Sequence, residues 1–199
     1  MIDCRTLSHE RVAIPSNASF VVLDTGVRRR LAGSEYNRRR ASCDRAVALI
    51  AEQDPRVSAL RDVAPSDMAA VEPLMDSETY DRVRHVVEEM GRPRQLAEAL
   101  AVGDLAAAGC VMNESHESLR DLYEVSSTEL EEITELARRT SGCYGARMTG
   151  AGFGGCAVAL VETGMDRSFV GRMQRRYSAP EEGSGYFHIC VPSDGAKLV

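Results

Sequence analysis

YGARMTGAGFGGCAVALVE, residues 144–162, decides the fold. Upstream of it apolar residues recur every three or four positions, whereas here they run as two short β-rich strings around a link in which four of six residues are glycine. That change of period predicts two strands, Tyr144–Thr149 and Cys156–Glu162, joined through Gly150–Gly155. Toward the N-terminus, Leu130, Ile133 and Ala137 keep helical spacing behind a capping-box pattern at Ser126 and Glu129, and Gly142 suits the left-handed position beyond that helix. Leu96, Leu100, Ala108 and Met112 predict further helix, interrupted near Gly103-Asp104 and near Gly109. Tyr80, Val83, Val87 and Met90 mark another, closed by Gly91 and Pro93. The polar stretch from Asp54-Pro55 to Pro73 has weak helical character at Asp67–Val71. Tyr36, Cys43, Val47 and Ile50 predict an amphipathic helix over Ser34–Gln53, and SFVVL (Ser19–Leu23) a strand ending at the turn Asp24-Thr25-Gly26. On the C-terminal side, Phe169, Met173 and Tyr177 mark a helix, and Tyr186–Val191 a last strand closed by Pro192.

The expected fold is α+β. A four-stranded antiparallel sheet forms from residues 19–24, 144–149, 156–162 and 186–191, with helices on one face. Without the helical insertion, the order is the ferredoxin-like split β-α-β-β-α-β unit. The 199 residues suit one domain, or one plus a remnant, and 44% apolar and 27% charged residues are ordinary globular composition. The charge sum, 24 − 30 = −6, gives no electrostatic footprint for nucleic acid. The longest strongly apolar run, Cys156–Val161, falls far short of the ~18 residues of a membrane span. MIDCRTLSHE carries charge from its third residue, unlike a secretory leader. The six cysteines (4, 43, 110, 143, 156, 190) show no C-x-x-C pair or zinc spacing, so the expectation is buried thiols in a reducing, cytoplasmic compartment and no metal site.

Two segments carry chemistry. GARMTGAGFGGC, Gly145–Cys156, lets backbone amides approach an anion closely, but it lacks the Gly-Lys-Ser/Thr of a P-loop and joins two strands. On spacing alone it is a flexible hairpin link. RRRLAGSEYNRRRASC, Arg28–Cys43, feeds a turn into a helix with a polar first turn, and on chemistry alone it is an N-cap at Ser34 with a solvated arginine face. His116 is expected as a surface or packing residue, Glu131-Glu132 as a solvated face, and His188 as a satisfied core histidine.

Taken together and in order, these strings resemble the galactokinases of the GHMP small-molecule kinase superfamily. MIDCRTL, TGVRRRLAGSEYNRRRASC, MNESHESLRDLYEVSSTEL (Met112–Leu130), GARMTGAGFGGC and PSDGA (Pro192–Ala196) are each similar to successive parts of the family's second half. The family's sugar motif, serine-rich ATP loop and catalytic Asp do not occur here. The resemblance therefore implies a C-terminal half, with residues 1–18 a remnant of the N-terminal domain and 19–199 the C-terminal domain. It implies transfer of the ATP γ-phosphoryl group to the 1-hydroxyl of α-D-galactose, with ATP and Mg²⁺ bound mostly through the other half, which also supplies the catalytic Asp and Arg. The half alone is expected to be inactive. Tyr36 matches the tyrosine that hydrogen-bonds the sugar, Arg28 an arginine near the active site, and Gly150, Gly152, Gly154 and Gly155 the loop beside nucleotide and phosphates. The implied partners are galactose and ATP, with no nucleic acid and no membrane. A galactokinase-like sugar and nucleotide sensor, or an interaction module without turnover, is the alternative.

Overall fold

The computed structural model describes residues 1–28, 32–179 and 186–191. Four strands, β1 (Ala18–Asp24), β2 (Cys143–Thr149), β3 (Cys156–Glu162) and β4 (Phe187–Cys190), form one sheet in the order β2-β3-β1-β4, antiparallel throughout. Seven α-helices, with short 3-10 turns at Leu60–Asp62, Pro65–Asp67 and Glu72–Leu74, complete the described chain: α1 (Ala32–Gln53), α2 (Met68–Val71), α3 (Ser77–Glu89), α4 (Arg92–Ala101), α5 (Leu105–Asp121), α6 (Thr128–Arg138) and α7 (Asp166–Arg176).

Alternation along the strands sorts the core. Val21, Leu23, Ala157, Ala159 and Val161 face α6 and α7, where Leu130, Ile133, Phe169 and Met173 are fully buried. Each such side chain contributes about 1.5–3 kcal/mol by leaving water. Phe20, Val158 and Leu160 point the other way and meet Leu100, Leu105, Ala108 and Met112 of α4 and α5. Helices therefore lie on both faces, not one, because the apolar strands have side chains to bury on each side. The insertion builds a separate core from Ala46 and Ile50 of α1, Val83 and Val87 of α3, and Leu60, Val63 and Val71 between them.

Several boundaries differ from the sequence expectation for local reasons. Pro93 does not close a helix; it sits in the first turn of α4, where its missing N–H costs nothing. The break at Gly103-Asp104 is real, with Gly103 at φ +75° and the Asp104 carboxylate accepting the Ala107 amide at 2.9 Å. Ser127, not Ser126, caps α6 by accepting the Leu130 amide; the Ser126 hydroxyl donates to Glu131 instead.

Gly109 does not interrupt α5. It brings the helix against β2, backbone on backbone: a Cβ at Gly109 would lie 2.1 Å from the Tyr144 carbonyl oxygen, and one at Gly145 would lie 2.2 Å from that of Gly109. From this contact α5 serves the outer edge of the sheet. Asn113 Oδ1 accepts the Ala146 amide at 3.0 Å, His116 Nδ1 accepts the Met148 amide at 3.1 Å, and Arg138 of α6 donates to the Ala146 carbonyl at 3.0 and 3.2 Å. These bonds satisfy an edge that would otherwise offer itself to another strand. His116 must be the neutral tautomer with a free Nδ1 lone pair, and its Nε2 then meets Thr134 Oγ1 at 2.9 Å.

Residues 1–10 stand largely exposed, closed on themselves by the Ile2–His9 bridge. Asp3 pairs with Arg61 at 2.9 Å and Arg5 with Asp62 at 2.7 Å; each arginine holds its carboxylate well below the usual range.

Two measurements test this packing. Gly109→Ala forces backbone to separate from backbone, so it should destabilise by about 1–3 kcal/mol or more, as overpacking does, although alanine is the better helix former. Chemical denaturation with an unchanged midpoint would refute the contact. His85, bonded to Ser118 through Nδ1 at 2.9 Å, and His116 are both held to about 4 by burial, against 6.5 free. The unfolded chain binds more protons between those values, so stability is present above pH 6.5 and lost as pH falls toward 4, by about 3 kcal/mol per imidazole at most. Urea midpoints at pH 7 and pH 4.5 read the loss, and His116→Asn should remove about half of it, His85 supplying the rest.

Candidate functional site

The glycine link stands at one end of the sheet, where β1 delivers the chain to α1. Asp24 ends β1, and its carboxylate accepts the Gly26 amide at 2.9 Å in an Asx turn, with Gly26 at φ +79°. Thr25 is fully buried; its amide and hydroxyl both donate to the Gly155 carbonyl, at 2.9 and 2.6 Å. Gly155 N–H returns a bond to the Val27 carbonyl at 3.0 Å, and the Tyr177 phenol donates to the Thr25 carbonyl at 3.1 Å. Residues 25–27 and the glycine link are thus one hydrogen-bonded unit. Arg28 follows directly, its exposed guanidinium forked onto Asp24 at 3.1 Å.

Gly150, Gly152, Gly154 and Gly155 all have positive φ, at 81°, 83°, 120° and 82°. A Cβ at Gly152 would lie 2.0 Å from the Val125 carbonyl oxygen, and one at Gly154 3.2 Å from that of Val27. The fold itself demands glycine here, through conformation and through close approach within this chain. The link is therefore pinned, with Phe153 N–H bonded to the Val125 carbonyl at 2.7 Å, and the expectation of a flexible hairpin is corrected.

Tyr36 projects from the start of α1 with its side chain half exposed, along a groove of about 460 Å³ that Cys43, Leu60, Met90 and Tyr123 also line. Burial pushes both the Cys43 thiol and the Tyr123 phenol upward, so both stay protonated at neutral pH. The helix begins at Ala32, so Ser34 lies inside it and is not its cap. Arg38 and Arg40 are solvated as expected, but Arg39 is not: only 11% of its side chain is exposed. It donates to Glu35 at 2.8 Å, to the Tyr123 carbonyl at 3.0 Å and to the Glu124 carbonyl at 2.8 Å, and its guanidinium lies 5.7 Å from the Phe153 ring centroid. Sequence reasoning missed this residue; the only available signal was its place three positions after Tyr36 within an arginine triplet. Arg28 thus adjoins the unit that holds the glycine link, and Arg39 joins that link to the helix of Tyr36, whereas none of the four glycines lines the groove of Tyr36.

Other expected residues fall elsewhere. His188 is exposed and stacks with Tyr186, because Phe187 and Ile189 take the inward positions of β4. His116 packs, as expected, but in the interior. Glu132 is solvated, whereas Glu131 turns inward to Ser126 and Arg120 and lies 3.3 Å from His116. None of the six thiols is fully buried: Cys4, Cys110 and Cys190 are exposed, and Cys43, Cys143 and Cys156 are intermediate. Pro192–Ala196 lie outside the described residues.

Residues 96–178 match the family described as GHMP kinases C terminal. Over all 199 residues the chain is 48% identical to a galactokinase of Chloroflexus aggregans, of which it covers 51%, and across its full length it is 38% identical to a galactokinase of Canis lupus familiaris, of which it covers 49%. The crystal structure of Lactococcus lactis galactokinase complexed with galactose superposes on 94% of the chain with a TM-score of 0.85 at 34% identity, and the match covers 49% of that protein. The chain spans about half the length of the relatives it matches. Residues 96–178 thus match the C-terminal domain of the GHMP kinases, and the whole chain is similar to about half of each galactokinase it matches.

Proposed function

We propose that this chain is the C-terminal half of a galactokinase, and that the complete protein transfers the ATP γ-phosphoryl group to the 1-hydroxyl of α-D-galactose. The observation that carries the reading is the backbone match over 94% of the chain to a galactokinase complexed with galactose. In this reading residues 1–18 belong to the N-terminal domain and 19–199 form the C-terminal domain, although β1 already begins at Ala18. The protein works in the cytoplasm.

Phosphoryl transfer depends on positioning and charge neutralisation more than on covalent chemistry. The Tyr36 phenol, rigid and able to donate and accept, binds a sugar hydroxyl. Gly150, Gly152, Gly154 and Gly155 form a wall beside the nucleotide phosphates, where main-chain amides approach without side chains in the way. Arg28, one residue beyond the unit that holds this wall, adds positive charge near the transferred group. Among the described residues no group of three or more His, Cys, Asp or Glu is gathered for a metal ion. In this reading Mg²⁺ is held mostly through the other half, and no step is routed through the ion.

Two experiments test the reading. The complete protein should release ADP in the presence of galactose, and the 199-residue chain alone should not, since the catalytic Asp, Arg and ATP loop belong to the other half. Turnover by the chain alone would overturn the assignment of those groups, and ligand binding without turnover by the complete protein would establish a sensor. Tyr36→Phe in the complete protein should weaken galactose binding by about 0.5–1.5 kcal/mol, the worth of one neutral hydrogen bond, with little change in the KM for ATP. Unchanged galactose affinity with a lowered Tm would make Tyr36 a packing residue.

A further inference from the structure

The turn between α5 and α6 is held from outside more tightly than its sequence requires. Arg39 reaches from α1 to the carbonyls of Tyr123 and Glu124. Arg82, fully buried on α3, reaches the Leu122 carbonyl and the Glu124 carboxylate. Glu124 is one of three non-glycine residues with positive φ among those described, at 50°; Phe153, in the glycine link, is another, at 59°. Such conformations persist only where surrounding contacts over-determine them. These two strained segments face each other: the Val125 carbonyl accepts the Phe153 amide at 2.7 Å, and the Val125 backbone leaves no room for a Cβ at Gly152. The Arg39 guanidinium closes the assembly, within cation–π range of the Phe153 ring.

Arg39 also lies one turn beyond Tyr36 on the same helix. From this geometry we infer that Arg39 is a positioning residue, which ties the glycine link to α1 through the 122–125 turn and so fixes the phosphate wall relative to the sugar-binding phenol. The inference rests on the galactokinase reading for its consequence, though the clamp itself does not. The donors of Arg39 are engaged by Glu35 and by the Tyr123 and Glu124 carbonyls. Arg39 acts by holding Tyr123, Glu124 and Phe153: its diverging nitrogens reach the two carbonyls, while the guanidinium carbon lies 5.7 Å from the Phe153 ring centroid. Lysine at the same position would keep the charge and could not span two carbonyls.

The test has two arms. In the 199-residue chain, amide hydrogen exchange of Arg39→Gln should quicken at Phe153 and Gly155 by about tenfold or more, while the β3 amides of Val158 and Leu160 keep their protection, as local opening requires. Arg39→Lys should fall between Arg39→Gln and the parent. Arg38→Gln, the neighbouring solvated arginine, should match the parent. In the complete protein Arg39→Gln should lower kcat by about 10- to 100-fold with both KM values within roughly 3-fold, since misplacement penalises the reacting geometry more than binding.

Unchanged exchange at Phe153, equal loss throughout β3, or the same effect from Arg38→Gln would overturn the clamp. A loosened link with normal kcat would overturn its bearing on turnover. If the parent protein releases no ADP with galactose, the galactokinase reading fails by itself, and exchange at Phe153 still decides whether Arg39 holds the link.

Discussion

Everything at the working end of this domain depends on two backbones touching where Gly109 of α5 meets Gly145 of β2. Side chains normally hold packed elements apart, by about 10 Å between stacked sheets and about 8–10 Å between helix axes. Here their absence lets α5 come close enough for Asn113 and His116 to bond the strand's main chain directly. The helix therefore has one height and one rotation relative to the sheet. Because α5 runs straight into residues 122–125, that fixed pose also decides where the turn meets the glycine link. A methyl group at position 109 would displace not only a helix but the carbonyl that receives Phe153.

Polar interactions then do what apolar packing alone cannot. The sheet core is apolar and close-packed around Phe169, Met173 and Leu130, and such contacts are non-directional. Arg39, Arg82 and Arg138 each end on backbone carbonyls, which specify a position in three dimensions. Charged donors to carbonyls are among the stronger hydrogen bonds, and burying them is tolerable only because each guanidinium finds several partners. The buried arginines therefore mark places where the fold chooses one geometry among several of similar apolar content.

Much of the architecture was legible in the sequence. All four strands and the principal helices follow from hydrophobic period, and Gly103-Asp104 gave its helix break through ordinary turn chemistry. What was not legible depended on long-range partners. Gly109 looks like a helix breaker until Gly145, far along the chain, is seen to need its bare backbone. Arg39 looks like one of three solvated arginines until the carbonyls of Tyr123 and Glu124 are found beside it. His188 looked central because its neighbours are apolar, but β4 is an edge strand with only one face to bury. At the site, the glycine string and the helix of Tyr36 could be picked out from sequence, whereas the residue standing between them could not.

The first ten residues show how unevenly cohesion is spread over the molecule. Their apolar side chains point outward, with Ile2 69% and Leu7 78% exposed, and their hold on the rest of the domain runs largely through the Asp3–Arg61 and Arg5–Asp62 pairs. Attractions between exposed charges fade as ions accumulate between them, while apolar burial in the sheet core is not weakened by such screening. The segment is accordingly a separate unit of opening, released by added electrolyte at a free energy far below that of global unfolding. In the 199-residue chain, concentrated salt would therefore open residues 1–10 to a protease while the sheet and its helices stay whole.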